Sequence, residues 1–249
     1  MKRFFAAIQF LTIVPLPRGL CPDERALGGA LPFFPVVGLG IGVAVAVVDW
    51  GAGMLFPAGV TAVLAVIILI AASGGLHLDG LADTADGLLS SRPRERILEI
   101  MRDSRTGPMG VAAIVCLVAL KIALLASIAA PARPWVLIMM PVAGRSALLV
   151  HMALLPYLRQ EGLARIFHAN RSRGQALWAL FFLAAAGGLA GGIPGLAAGG
   201  VSLIFALLFT AYIGRRLGGL TGDTLGAACE WTELAPALVA SAWQYGGCP

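Results

Sequence analysis

The chain has 249 residues, 59% of them hydrophobic and only 12% charged, with a mean hydropathy of +0.87. An ordinary soluble domain is about 45–50% apolar and about 25% charged. These figures therefore exclude a soluble globular enzyme, a disordered chain, a disulfide scaffold and a coiled coil. The net charge of +5 invites a nucleic-acid reading, but the placement of the basic residues gives it another meaning.

In chain order, Met1 to Val14 is only superficially like a signal peptide. The apolar stretch after Lys2 and Arg3 is interrupted by Gln9 and Thr12, and no small-residue cleavage site follows Pro15. It is too short to span and is expected to form an interfacial or re-entrant helix. Apolar runs of spanning length follow at 31–50, 54–74, 108–130, 134–156, 175–193, 195–213 and 233–247, the last being the shortest. At about 20 residues per span, they predict an all-α, polytopic transmembrane bundle of about six to seven spans. Residues 1–249 then form one integral membrane domain, with no room for a separate soluble one. The Gly/Ala-rich tract from Gly187 to Gly200, which contains Pro194, reads as a tight outer turn between two helices.

With these limits the polar segments 1–30, 75–107, 157–174 and 214–232 fall on one side. They hold 15 of the 18 basic residues: Lys2, Arg3, Arg18, Arg25, Arg92, Arg94, Arg96, Arg102, Arg105, Arg159, Arg165, Arg171, Arg173, Arg215 and Arg216. Arg133 lies opposite, and Lys121 and Arg145 lie inside spans. This bias makes the polar side cytoplasmic. Cys21, Cys116, Cys229 and Cys248 are far apart, so neither a metal site nor a disulfide framework is expected.

Three clusters carry the chemistry. Asp79, Asp83 and Asp86 are spaced i, i+4, i+7, which puts three carboxylates on one helical face. Like charges beside apolar residues repel and are desolvated, and a divalent cation relieves both penalties; oxygen ligands suit Mg²⁺ or Mn²⁺. The alternative is a solvated helix end. His77 points away from that face and is read as a packed or interfacial side chain ahead of a general base. The second cluster follows residues 93–104, an expected amphipathic helix, and stacks Asp103, Ser104 and Arg105 before Gly107-Pro108; arginine suits phosphate contacts. The third runs from Arg215 to Glu230. Asp223 and Glu230 are i, i+7, and the glycines admit a ligand close to the backbone. Arg215 and Arg216 either neutralise phosphate or anchor the helix at headgroups.

A mid-span Arg145 is functional by default, Lys121 either snorkels or pairs with a carboxylate, and Asp49 is interfacial. No GxxxxGK[ST], HExxH or GxSxG occurs. Carboxylates, arginines and a metal suit phosphoryl transfer. A secondary transporter is the rival from another class, but transporters gather polar groups near the midplane. A phosphotransferase acting on a lipid headgroup is the second rival.

Gly75-Leu-His-Leu-Asp-Gly-Leu-Ala-Asp-Thr-Ala-Asp-Gly87, Glu99-Ile-Met-Arg-Asp-Ser-Arg-Thr-Gly107, Glu161-Gly-Leu163 and Gly219-Leu-Thr-Gly-Asp-Thr-Leu-Gly-Ala-Ala-Cys-Glu230 resemble the cobalamin synthase family, the adenosylcobinamide-GDP ribazoletransferases. Phe10-Leu-Thr-Ile-Val-Pro-Leu-Pro17 and Phe34-Pro-Val-Val-Gly38 are similar to that family too. A fainter likeness to CDP-alcohol phosphotransferases is analogy only, because Asp83 follows Ala82 where their pattern has Arg. The resemblance implies a Mg²⁺-requiring multipass enzyme of the cell (inner) membrane. It would join adenosylcobinamide-GDP to α-ribazole, or its 5′-phosphate, and release GMP.

Clusters and resemblance together give the expected site. Asp79, Asp83 and Asp86 hold Mg²⁺. Asp223, Glu230 and Arg105 are catalytic, with Asp223 taking the ribazole hydroxyl proton. Arg102, Arg145, Arg215 and Thr221 bind substrate, and Arg102, Arg105 and Arg215 stabilise the diphosphate and the departing GMP. The expected partners are the two small molecules and the lipid bilayer, not nucleic acid; a homo-oligomer is left open.

Overall fold

The computed structural model describes residues 1–17, 24–103 and 105–247. Arg18, Cys21, Ser104 and Cys248, named above, lie outside the described residues. The described chain is helical, with one isolated parallel bridge between Tyr157 and Leu220. The helices are α1 (Lys2–Leu11), α2 (Glu24–Gly28), α3 (Phe34–Ala52), α4 (Ala58–Ala72), α5 (Leu76–Leu88), α6 (Arg94–Ile100), α7 (Pro108–Ser127), α8 (Arg133–Leu154), α9 (Leu163–Ala169), α10 (Arg173–Leu217) and α11 (Gly222–Tyr245).

α8 is the central post. It packs against α3, α10 and α11, and nearly every side chain from Val136 to Met152 is buried. Among the described residues, four helices are long and apolar enough to cross a membrane: Leu31–Ala52, Pro108–Ser127, Arg133–Leu154 and Arg173–Leu217. A fifth is gained if α4 and α5, bent by 89° at their junction, count as one. α11, which carries Asp223, Glu230 and Glu233, is not among them.

α10 is not one rod. Gly192 has φ +58° and ψ −135°, a break that only glycine tolerates well. A Cβ on Gly187 would stand 2.4 Å from the carbonyl oxygen of Gly195, and one on Gly199 3.6 Å from that of Leu183. On a straight helix these pairs would stand about 12 and about 24 Å apart at about 1.5 Å per residue. The two arms therefore fold back on each other as a hairpin. The expected turn over Gly187 to Gly200 narrows to Gly192, because the other small residues are helical and let the arms approach.

Two further boundaries differ from expectation. α6 stops at Ile100, short of the predicted 104, and Arg102 and Asp103 lie in the turn beyond it. The last helix begins at Gly222 rather than 233, because Thr221 and Thr224 form a reciprocal capping box there.

The bundle has two distinct ends. At one, Arg133 of α8 is paired with Asp49 of α3, and it donates to Thr61 Oγ1 of α4 at 2.9 Å and to the Leu125 carbonyl of α7 at 3.2 Å. Asp49, expected to be merely interfacial, is thus buried in a clamp. The Ser127 and Ser241 hydroxyls, 3.1 Å apart, bring the C-terminal part of α11 to the same end. The other end gathers α5, α6, α9, the start of α7, both ends of α10 and the start of α11. Here Ile13 N–H donates to the Ala72 carbonyl at 2.9 Å, holding the segment after α1 against α4. Phe10, Phe34 and Phe167 form one aromatic cluster, with ring centroids 4.5–5.8 Å apart, that ties α1, α3 and α9 together.

Candidate active site

The site is built where α5 crosses α11. Gly74 and Gly75, at φ +61° and +75°, turn the chain sharply out of α4. α5 then runs across the bundle end and meets α11 at two glycines. A Cβ on Gly80 would lie 2.7 Å from the Asp223 carbonyl oxygen, and one on Gly226 2.9 Å from that of His77. This backbone-to-backbone approach brings the acidic helix face beside Asp223.

A cavity of about 270 Å³ opens at the crossing, lined among others by Phe10, His77, Asp79, Tyr157, Arg159, Glu161 and Asp223. Two neighbours of about 620 and 660 Å³ share Gln160, Glu161 and Gly162 with each other, and Glu161 and Gly162 with the first. Arg102 lines the 660 Å³ cavity beside Arg159. The dividing loop is pinned at one end: Leu158 N–H donates to the Leu220 carbonyl at 2.9 Å, and Leu220 N–H to the Pro156 carbonyl at 2.8 Å.

The electrostatics are unbalanced. Burial, reinforced by the charges of Asp223 and Asp79, pushes the Asp83 carboxyl up to about 6, and Arg159 opposes this. Burial likewise raises Asp223. Arg159 Nη2 meets Asp223 Oδ2 at 2.5 Å. His77 is buried, and its Nδ1 has no hydrogen-bond partner.

The expected site residues separate. Asp79, Asp83 and Asp223 are brought to one place. Asp86 is on the same helix face but turns to α7: Gly107 N–H donates to it at 2.6 Å and Gly110 N–H at 2.8 Å. Both its oxygens thus hold a helix N-terminus, where a carboxylate is favoured. Thr221 is the buried N-cap of α11 and does not line the cavity. Arg105 is exposed and paired with Asp103 at 2.7 Å, which holds the Asp103 carboxyl well below its usual range. Arg215 is exposed near the end of α10.

Glu230 and Arg145 lie in the core. Lys121 Nζ donates to Glu230 at 2.6 Å and to Glu233 at 2.7 Å, and Arg145 is paired with Glu233. All four are buried. Of the two readings open for Lys121, pairing is the one observed. Glu233 and Arg159 carried no role in the sequence reading. The signal for Glu233 was available: two mid-span cations need two buried anions, and Glu233 shares a helix face with Glu230. Among the described residues, no group of three or more His, Cys, Asp or Glu converges closely enough to hold a metal ion unaided.

Fold and cavity together define a class: an apolar helical bundle that gathers carboxylates and a guanidinium around a cleft at one end. The chain belongs to the cobalamin-5-phosphate synthase family, whose sequence pattern matches residues 3–241. The adenosylcobinamide-GDP ribazoletransferase of Brevibacillus brevis is 40% identical over 96% of this chain and 97% of its own length. Those of Roseiflexus sp. and Acetivibrio thermocellus are 42% and 39% identical, covering 92% and 94% of this chain and 85% and 94% of their own. No solved structure matches.

Proposed function

We propose that this chain is a membrane-embedded transferase that joins adenosylcobinamide-GDP to α-ribazole or its 5′-phosphate. The ribazole hydroxyl oxygen attacks the phosphorus on the cobinamide side. A new phosphodiester P–O bond forms, the diphosphate bond breaks, and GMP leaves. The observation that carries this reading is the meeting of Asp79, Asp83 and Asp223 with Arg159 beside the 270 Å³ cavity, which Asp79, Arg159 and Asp223 line and which adjoins two others. The activity for which relatives aligned over nearly the whole chain are named supports it.

A Mg²⁺ ion suits this donor set. Magnesium is commonly held by one or two carboxylates, with substrate phosphate oxygens and water completing the shell. Three or more converging protein ligands are therefore not required. Asp79 and Asp83 are the proposed donors, while Asp86 fixes the start of α7 beside them. When bound, the ion would neutralise charge on the diphosphate. Asp223 accepts the hydroxyl proton. Arg102 is placed to meet substrate anions from the 660 Å³ cavity.

In this reading α3, α7, α8, both arms of α10 and the C-terminal part of α11 cross the bilayer, and α4 enters it from the outer side and crosses most of its depth. α5 lies just inside the cytoplasmic surface, on the side where most arginines gather.

The assay is GMP release from adenosylcobinamide-GDP by membranes supplied with α-ribazole and Mg²⁺. Asp83→Asn should lower turnover by about 10²–10³-fold, the scale of losing one electrostatic stabiliser, while the detergent-solubilised protein stays folded. Normal turnover in that variant overturns the carboxylate assignment. Turnover of a CDP-lipid, with none of the corrinoid, overturns the substrate.

A further inference from the structure

Arg159 is placed for more than holding Asp223. Its guanidinium stands on the wall between the 270 and 660 Å³ cavities. Its backbone is fixed there by the Tyr157–Leu220 bridge, three residues from Asp223. Yet its donors are only partly used. Nη2 serves both Asp223 Oδ2 at 2.5 Å and the Met101 carbonyl at 3.1 Å, Nη1 reaches Asp223 Oδ1 only at 3.5 Å, and Nε is buried without a partner. A planar guanidinium with unused donors is suited to bidentate phosphate contact.

We propose that Arg159 is a diphosphate-binding residue held in reserve by Asp223. With the cavity empty it neutralises Asp223. When the nucleoside diphosphate enters, the guanidinium turns to the phosphates and leaves the Asp223 carboxylate free. The exchange needs only a side-chain swing, because the loop backbone is pinned. This rests on the diphosphate reading above and adds a residue and an order of events to it.

GDP binding to detergent-purified protein in Mg²⁺ tests it by calorimetry, without turnover. Arg159→Gln should weaken GDP roughly tenfold, the effect of one close charge. Asp223→Asn should tighten GDP several-fold by releasing the arginine. In the double variant that tightening should disappear. Unchanged GDP affinity in Arg159→Gln, or tightening that persists undiminished in the double variant, overturns the proposal. Should Arg159→Gln fail to fold, Arg159→Lys keeps the charge but loses the fork; it should weaken GDP about threefold, and wild-type affinity there counts against the proposal equally. If the binding pattern holds but no GMP is released from the corrinoid substrate, it is the transferase reading that fails.

Discussion

One helix carries two sets of acids with opposite fates. Two turns along α11 from Asp223, Glu230 and Glu233 meet Lys121 and Arg145 in a core quartet whose charges cancel. Its side chains are 2–6% exposed. At the open end of the same helix, Asp223 joins Asp79 and Asp83 against Arg159. The contrast shows where a charge can do work. Deep in the bundle a charge is tolerated only with its partner. At the cleft an excess of negative charge persists, and a ligand can supply the missing cation. The clamp of Asp49 and Arg133 at the far end follows the first pattern, although it too borders a cavity.

Glu233→Gln attacks the closed set. It strips counter-charge from Arg145 and Lys121 together and should cost roughly 3–5 kcal/mol, read as unfolding of the detergent-solubilised protein. Turnover per folded molecule should change little, since none of the four residues lines the cavity.

Gly80→Ala attacks the geometry of the open set. The new methyl meets the Asp223 carbonyl oxygen at 2.7 Å and must push α5 from α11. Overpacking of this kind costs about 1–3 kcal/mol. GMP release should fall roughly tenfold or more through displacement of the carboxylates, a loss out of proportion to the stability change.

Arg105→Ala is the smallest change and sharpens the boundary of the site. Because Arg105 is exposed and bound to its neighbour Asp103, melting should not shift, and turnover should fall much less than in Arg159→Gln. An equal fall would extend the active site to the turn after α6.

Much of this was legible in the sequence. The apolar runs gave the helices, and the i, i+4, i+7 spacing gave the acidic face of α5. Asp86 shows the limit. Spacing fixes which face a residue shares, but not which neighbouring helix starts beside it, and the two N–H groups of α7 decide its partners. Glu230 fails the same way: a face that opens on the cleft at Asp223 is covered by α7 and α8 two turns later. Arg159 stands alone in a loop between helices. Its meaning depends on the bridge between Tyr157 and Leu220, a contact across the chain with no local pattern. The hairpin was visible as a Gly/Ala tract, but only the backbone of Gly192 shows where it turns.

The shortness of α4 has a further consequence. Fifteen residues extend about 22 Å at about 1.5 Å per residue, whereas the hydrocarbon layer of a bilayer is about 30 Å thick. On the proposed placement, with its first turn near the outer headgroups, α4 runs out before the inner surface and the elbow lays α5 down inside it. The carboxylate floor then lies in a dimple of the bilayer, so local membrane thickness sets how deep a water-borne substrate must reach.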